Sequence, residues 1–343
     1  MSMSAKFHLS GLLACLLLPL TAAAGDFEVL HRYTLGGEGG WDYLSYDAPS
    51  HRLFISRGQH VQVVDPRSGS VVGDIPDTPG VHGIALAPEL DKGFTSNGRD
   101  NSVSVFTASS LKTTGKIATP LGQNPDFIAY DESTKQVLAF NGRSHNASVI
   151  DAVGEKLVAT IALAGKPEAA VPDGRGMVFV DIEDKNALQA INLKTGAVVA
   201  TWPLAGCDEP AGLAMDRAAR RLFVGCHNST LLVVNADTGK TVAQLPIGEG
   251  VDANAFDAQR QLVFSSQGDG TLAVIHAAGA DSFKVQQTVA TARGARTMAV
   301  NAADHQVYLV TAEFDEQPPA QGQTRPRRTM KPGSFTLLVV GEK

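Results

Sequence analysis

The sequence predicts an all-β protein, a seven-bladed β-propeller of four-stranded antiparallel blades. One stretch, residues 222–250, holds three short apolar runs separated by polar turns, which is typical of antiparallel strands joined by hairpins. The turn after the third run recurs at intervals of 41 to 44 residues. It is marked by Asp65, Thr107, Asp151, Asn192, Asn235 and His276. About forty residues and four strands per repeat are typical of a propeller blade rather than of a helical solenoid.

The start of the first strand recurs with the same period. Seven starts are found, near Trp41, His82, Pro125, Pro167, Pro210, Asp252 and Ala295. The seventh repeat lacks a fourth strand in its usual place, whereas the N-terminal residues 27–35 form a strand-like run that has no blade of its own. We therefore predict that residues 27–35 complete the last blade, which would join the two chain ends and shield open strand edges.

The first 24 residues have the composition of a secretory signal sequence. Lys6 supplies the positive charge, and residues 9–20 are apolar but shorter than the roughly 20 residues that span a bilayer. Small residues at 22–24 suit cleavage. An alternative interpretation takes Cys15 as a lipidation site. Cleavage would leave one propeller domain, residues 25–343, exported to the periplasm and without a later membrane span.

Charge and cysteine content narrow the class of protein further. The formal net charge of −6 at neutral pH argues against nucleic acid as the main partner. Cys207 and Cys226 follow the signal sequence, and export makes a disulfide feasible. Because the repeat register places both at the same end of the first hairpin in blade five, we predict that they are bonded. Their spacing is not that of a CxxC redox motif.

One face of the predicted propeller, the top face, collects polar residues around the central channel. It is formed by the links before each first strand and the links between second and third strands. The first kind contributes Trp41, Asp42, His82, Asn124, Asp126, Glu168, Asp208, Glu209, Asp252 and Arg296. The second kind contributes Asn97, Arg99, Asn141, Arg143 and Glu183. The channel mouth is therefore predicted to be basic on one side and acidic on the other.

The basic side predicts an anion site. A repeated Asn-Gly-Arg places Arg99 and Arg143 at the same register of neighbouring blades, and paired guanidinium groups suit a carboxylate or phosphate. The candidate ligand-binding residues are Trp41, His82, Asn97, Arg99, Asn124, Asn141, Arg143 and Arg296. The sequence leaves open that the arginines form structural ion pairs and that Trp41 packs between blades.

The acidic side predicts a metal site. Its candidate ligands are Glu168, Glu183, Glu209 and Asp252. Clusters of carboxylate oxygens suit hard cations, so Ca²⁺ is the candidate cofactor. The alternative is that these acids pair with arginines and bind backbone amides.

A long basic loop, residues 314–333, lies in the link between the second and third strands of the seventh repeat. It carries Arg325, Arg327, Arg328 and Lys331. Loops of this length are usually functional or disordered. The sequence supports equally a basic flap at the channel mouth and a solvated loop.

The repeats VVDPRSGSVVGDIP and VVNADTGKTVAQLPIG, with the second strands RLFIS and RLFVG, resemble the YVTN-type repeats of YncE-like periplasmic propellers. The resemblance spans residues 27–343. It implies a seven-bladed propeller, a periplasmic location and no established catalytic residues. The repeats also resemble the propellers of cofactor-bearing periplasmic oxidoreductases, but the chain lacks the CxxCH haem motif.

Three functions follow from these observations. The first is a non-catalytic binding protein that holds a small anion, a metal chelate or a partner at the top face. The second is an enzyme of the lactonase or lyase class, using His82 with a carboxylate and a divalent cation. The third is a platform for another periplasmic or outer-membrane protein. Motifs for an activated serine or a zinc protease are absent from the sequence.

Overall fold

The chain forms a ring of seven four-stranded antiparallel sheets, as the sequence predicts. The computed structural model describes residues 26–317 and 327–343. The predicted signal sequence and Arg325 therefore lie outside the described residues. In blades one to six, the four strands of each sheet follow one another in chain order, with the first strand innermost.

The strands are bounded as follows. The chain begins with β1 (Phe27–Thr34). Blade one comprises β2 (Leu44–Asp47), β3 (Arg52–Ser56), β4 (Val61–Asp65) and β5 (Ser70–Ile75). Blade two comprises β6 (Val81–Ala87), β7 (Lys92–Asn97), β8 (Ser102–Thr107) and β9 (Thr113–Ala118). Blade three comprises β10 (Pro125–Asp131), β11 (Gln136–Asn141), β12 (Asn146–Asp151) and β13 (Lys156–Ala162). Blade four comprises β14 (Pro167–Pro172), β15 (Met177–Ile182), β16 (Ala187–Asn192) and β17 (Ala197–Pro203).

Blade five comprises β18 (Pro210–Asp216), β19 (Arg221–Cys226), β20 (Thr230–Asn235) and β21 (Thr241–Pro246). Blade six comprises β22 (Val251–Asp257), β23 (Leu262–Gln267), β24 (Thr271–Gly279) and β25 (Ser282–Ala290). The last part of the chain holds β26 (Met298–Asn301), β27 (Gln306–Thr311), the hairpin β28 (Phe314–Gln317) and β29 (Arg327–Met330), and β30 (Thr336–Glu342). Two single 3₁₀ turns, Pro88–Leu90 and Glu183–Lys185, complete the described elements.

Blade seven is closed by the N-terminal strand, which confirms the prediction for residues 27–35. Its sheet runs in the order β1, β30, β27 and β26, so β1 is the outer strand. Phe27 lies opposite Glu342, and Thr34 lies opposite Thr336. The backbone of Phe27 also exchanges two 2.8 Å hydrogen bonds with the side chain of Gln287 in blade six. The two chain ends are therefore held in one sheet and tied to the neighbouring blade.

The core lies between the blades, because the second and third strands are buried on both faces. Each second strand places one large, almost fully buried side chain at the same register. These residues are Phe54, Phe94, Leu138, Phe179, Phe223, Phe264 and Tyr308. The outer strands alternate exposed and half-buried residues, as in β17. Burying one large apolar side chain contributes about 1.5–3 kcal/mol, so these inter-blade contacts account for much of the stability.

Glycine at the turn before the fourth strand lets an aromatic ring from the preceding blade lie over the turn. Gly239 has φ +70°, and an added Cβ would lie 2.1 Å from the Trp202 ring. Gly69 has the same φ and would meet Tyr33 at 2.3 Å. Both positions therefore require glycine for the positive φ and for the close approach of the ring.

Cys207 and Cys226 form a disulfide, as the sequence predicts. The bond joins the link before β18 to the end of β19, with the two Cα atoms 5.3 Å apart. Both residues are buried in the core beside Leu204 and Leu232. The bond therefore fixes the start of blade five to its second strand. Among the residues described, no helix has the length and apolar character needed to cross a membrane.

Candidate functional site

Each innermost strand contributes one residue at the same register to the top of the central channel. The register follows from the pairing of Val81, Pro125, Pro167, Pro210 and Val251 with the last residue of the adjoining second strand. The next residue along each chain segment forms what we call the mouth ring. Its members, from blade one to blade seven, are Asp42, His82, Asp126, Glu168, Ala211, Asp252 and Arg296.

Three adjacent members of the mouth ring form a compact cluster. Asp42, His82 and Asp126 come from blades one, two and three, and one potential ligand atom from each lies within 4.8 Å of the others. His82 Nδ1 lies 2.7 Å from Asp42 Oδ2 and 3.6 Å from Asp126 Oδ1. Among the described residues this is the one group of three or more potential metal ligands. The ring thus brings an imidazole and two carboxylates together from separate blades.

Packing fixes which imidazole nitrogen faces the carboxylates. An added Cβ on Gly98 would lie 2.8 Å from His82 Nε2, so the ring edge carrying Nε2 lies against the Gly98 backbone. Nδ1 is therefore the nitrogen presented to Asp42 and Asp126. Burial opposes charge on this imidazole, but the hydrogen bond with Asp42 and the nearby Asp126 outweigh it and raise the pKa of His82.

The acidic residues of blades four to six are paired with cations, and the structure does not bring them together as one metal site. Lys166 contacts both Glu183 and Glu168, with its Nζ 3.1 Å from Glu168 Oε2. Arg296 lies 3.3 Å from Asp252. Glu209 is exposed and pairs with His227 at 3.1 Å. The four predicted ligands are thus divided among three separate groups, each with its own cationic partner: Glu168 and Glu183, Glu209, and Asp252.

Crowded carboxyl groups in the mouth ring hold protons unusually tightly. Burial, followed by like charge, raises the pKa of Glu168 to about 8, with Asp126 as the largest charged contributor. Burial also raises the pKa of Asp126 and that of Asp252 to about 6, and Asp42 adds to both shifts. Burial and like charge therefore both favour the protonated form of these three acids.

Tyr43 crosses the channel just below the mouth ring. Its hydroxyl lies 3.5 Å from Glu168 Oε1, which belongs to blade four. Its ring packs edge-on against Phe127 with centroids 5.1 Å apart. Burial and the surrounding carboxylates, led by Glu168, raise the pKa of Tyr43 well above its usual range, so the hydroxyl stays protonated. Tyr43 forms part of the lining of a 200 Å³ channel cavity.

Asp181 is a second buried acid close to this side of the ring. It lies in β15, is fully buried, and neither carboxyl oxygen has a hydrogen-bond partner among the described residues. Burial and the nearby Glu168 raise its pKa well above the usual range. The neutral acid is therefore the form that the fold accommodates.

The raised pKa of Glu168 predicts a dependence of stability on pH. An unfolded glutamate has a pKa near 4.3, so the folded state holds this proton more tightly. Its contribution is complete below about pH 4 and is lost as the pH rises through about 8. In chelator-treated wild-type protein, the unfolding free energy should fall between about pH 5 and about pH 9 as Glu168 ionises. We expect this fall to be smaller in Glu168→Gln than in the wild type, by on the order of 2 kcal/mol.

Urea denaturation across this range measures the effect. Glu249→Gln is the matched control, because Glu249 is exposed on the same face. The control should follow the wild type. A pH profile of Glu168→Gln parallel to that of the wild type would show that Glu168 does not carry the dependence.

The predicted anion-binding residues fall into two groups. Asn97 and Asn141 are fully buried, and their amides donate to Ser104 and Ser148, respectively, so each joins the second strand of its blade to the third strand of the same blade. Arg99 and Arg143 are exposed, and Asn124 is half-buried with φ +55°. The exposed arginines lie on the links outside the mouth ring, whereas His82 and Arg296 belong to it.

Trp41 packs between blades, which is the alternative that the sequence left open. Its ring lies 5.3 Å from that of Phe335 and 6.0 Å from that of Phe314. It also lies beside Asp42 in the wall of a second cavity. Trp41 thus has both a packing contact and a face toward that cavity.

The basic loop includes a short hairpin in its described part. Arg327 and Arg328 belong to strand β29, which pairs with β28. Lys331 lies 3.0 Å from Glu313 and so is paired near the base of the hairpin. Arg325 falls outside the part of the chain that the structure describes.

Comparison with known proteins supports the fold. No protein-family model matches the chain, and no curated protein matches it in sequence. Hydrazine synthase from Kuenenia stuttgartiensis is similar in structure, with a TM-score of 0.69 and 16% identity over 79% of this chain and 92% of that chain. U3-55K has a TM-score of 0.73 and 10% identity over 91% of this chain and 98% of that chain. At these identities the likeness shows a shared propeller fold.

Proposed function

We propose that this protein binds a divalent metal ion at the mouth of its channel through Asp42, His82 and Asp126. The observation that carries the proposal is the convergence of three ligand atoms, from three blades, within 4.8 Å of one another. Three protein ligands leave coordination positions open toward the channel mouth, as in metal sites that also take a small ligand. The metal would thus serve as the attachment point for that ligand.

The mixture of ligands favours a transition metal over Ca²⁺. Imidazole nitrogen suits Zn²⁺, Ni²⁺, Cu²⁺ and iron, whereas calcium sites are built from oxygen. His82 presents Nδ1 to both carboxylates, so replacing the Nδ1 proton by a metal ion needs no rotation of the ring. The candidate cofactor is therefore a transition metal such as Zn²⁺, in place of the Ca²⁺ that the sequence suggests.

The electrostatics of the ring support cation binding. Burial raises the pKa of Asp126 to about 6, and the like charge of Asp42 adds to the shift while His82 opposes it. Like charges that must share a small volume are separated either by protons or by a cation. A divalent ion between these carboxylates would offset the repulsion between Asp42 and Asp126.

Export to the periplasm belongs to the same proposal. The disulfide supports it, because such bonds persist in oxidising compartments. The predicted signal sequence and the YVTN-type repeats of YncE-like proteins point to the same location. The protein is then a periplasmic binding propeller for a metal ion or a metal chelate, with another periplasmic or outer-membrane protein as a further candidate partner.

A lyase or lactonase is the second candidate function. It is favoured by Glu168, because burial and neighbouring carboxylates raise the pKa of this acid to about 8 at the same mouth, against the opposing effect of Lys166. A protonated carboxyl near a metal-bound substrate can act as a general acid. Turnover of lactones by the metal-loaded protein, and its loss in Glu168→Gln, would distinguish an enzyme from a binding protein.

A thermal-shift experiment tests the binding function. The purified exported protein is first treated with a chelator and then titrated with Zn²⁺, Mn²⁺, Ni²⁺ and Ca²⁺. At a concentration of 100 times Kd, a ligand specific for the native state adds about 2.7 kcal/mol of stability. We expect a rise in Tm with a transition metal, reversed by chelator. An unchanged Tm with all four cations would contradict the proposal.

A further inference from the structure

A second cavity lies between blades seven and one, beside the proposed metal site. Its volume is about 480 Å³. Asp42 belongs both to the proposed metal site and to the wall of this cavity. Its wall also includes the aromatic residues Trp41 and Phe314, the arginines Arg293 and Arg296, and several small residues. The cavity therefore combines aromatic, cationic and small residues next to a proposed metal ligand.

The aromatic wall is fixed from behind. The rings of Trp41 and Phe314 lie 6.0 Å apart with 38° between their planes, which is too close to admit a third ring between them. Trp41 also packs against Phe335, and the buried guanidinium of Arg57 covers Phe335 at 3.6 Å. Trp41 and Phe314 therefore form one continuous surface, and a flat ligand would lie against that surface instead of between the two rings.

The cationic wall carries two guanidinium groups. Arg293 is exposed, and the side chain of Arg296 is 54% exposed although it pairs with Asp252. Both arginines come from the link that precedes β26. Paired guanidinium groups favour a carboxylate, whereas the Asp42 carboxylate in the same wall repels one. A cation on Asp42 would remove that repulsion.

We propose that this cavity binds a planar aromatic carboxylate whose carboxylate group lies between the arginines and the metal ion. The ring would pack against Trp41 and Phe314. Tighter binding in the presence of metal rests on the proposed function, whereas the contacts with the arginines and the aromatic wall do not. The ligand class is a flat aromatic ring that carries a carboxylate. The affinity should be highest when a second metal-binding atom lies next to the carboxylate.

Fluorescence of Trp41 tests this inference. The chain has two tryptophans, so the Trp202→Phe variant leaves Trp41 as the one tryptophan reporter. Pyridine-2-carboxylate, benzoate and cyclohexanecarboxylate are titrated in turn, each with and without Zn²⁺. We expect pyridine-2-carboxylate to change Trp41 emission and to bind at least ~10-fold more tightly with Zn²⁺. Benzoate should bind more weakly, and the non-planar cyclohexanecarboxylate should bind least.

Variants in the same background assign the contacts. Arg293→Gln should weaken pyridine-2-carboxylate binding by ~10-fold. Arg293→Gln leaves the pair between Arg296 and Asp252 in place, so a loss of folding is not expected. Arg99→Gln is the matched control, since Arg99 is an exposed arginine on the top face. Its binding should equal that of the parent.

The outcomes separate this inference from the proposed function. If Zn²⁺ binds by calorimetry but no carboxylate changes Trp41 emission, the cavity inference fails and the metal proposal stands. If Zn²⁺ does not bind while benzoate binds in an Arg293-dependent way, the metal proposal fails and the cavity inference stands. Equal binding of cyclohexanecarboxylate and pyridine-2-carboxylate, or an unchanged affinity in Arg293→Gln, would overturn the inference.

Discussion

Replacing Asp126 by asparagine is expected to lower the affinity for a divalent cation by at least ~100-fold and to leave the fold intact. Loss of groups that only orient a metal ligand costs 10- to 100-fold in affinity, so loss of a ligand oxygen should cost more. The amide side chain would keep the shape of the carboxylate that it replaces. The substitution would remove the negative charge that lies 3.6 Å from His82 Nδ1 and leave a cluster with one acidic ligand.

Isothermal titration calorimetry of the chelator-treated protein measures this change. Asp208→Asn is the matched control, because Asp208 is an exposed acid on the top face outside the mouth ring. The control should bind the metal as the wild type does. If Asp126→Asn also kept its affinity, the metal site would have to lie elsewhere on the molecule.

Deleting residues 27–34 is expected to abolish cooperative folding at 25 °C, or to lower the unfolding free energy by about 5 kcal/mol or more. The deletion removes the outer strand of blade seven and exposes the edge of β30. It also removes Phe27, which is 1% exposed and packs edge-on against Phe264 with centroids 5.3 Å apart. Typical domains have only 5–15 kcal/mol of net stability, so this loss is a large share.

Two controls separate ring closure from a general effect of truncation. A synthetic peptide of residues 26–35 added in trans should restore folding, whereas a scrambled peptide should not. Phe27→Ala alone should cost about 3–5 kcal/mol, since it removes one buried aromatic side chain and leaves the strand in place. A deletion variant as stable as the parent, measured by urea denaturation, would show that β1 does not close the ring.

Much of the fold could be predicted because a propeller repeats its turns and strand starts. The period, the closing strand and the bond between Cys207 and Cys226 all follow from the register of the repeats. The register also places Asp42, His82 and Asp126 at the channel mouth. Selecting them as a cluster needs the side-chain geometry, because neighbouring blades converge most tightly on the innermost strand.

The sequence was less informative about charge pairing and side-chain direction. Lys166 lies two residues before Glu168 and neutralises part of the acidic side, a contact that spacing alone does not show. Asn97 and Asn141 end their strands with buried side chains, while the exposed Arg99 and Arg143 follow on the links. A residue at the right register can therefore serve the blade core instead of the mouth. An alignment of the seven repeats at the mouth-ring position would have distinguished, from the sequence alone, residues that face the mouth from residues buried in the blade.

Anomalous diffraction from crystals grown with Zn²⁺ tests the central claim most directly. The account predicts that the strongest anomalous peak lies at the channel mouth, about 2.0–2.2 Å from a carboxylate oxygen of Asp42, Nδ1 of His82 and a carboxylate oxygen of Asp126. A mouth without an anomalous peak, or a peak held by residues outside these three, would contradict it.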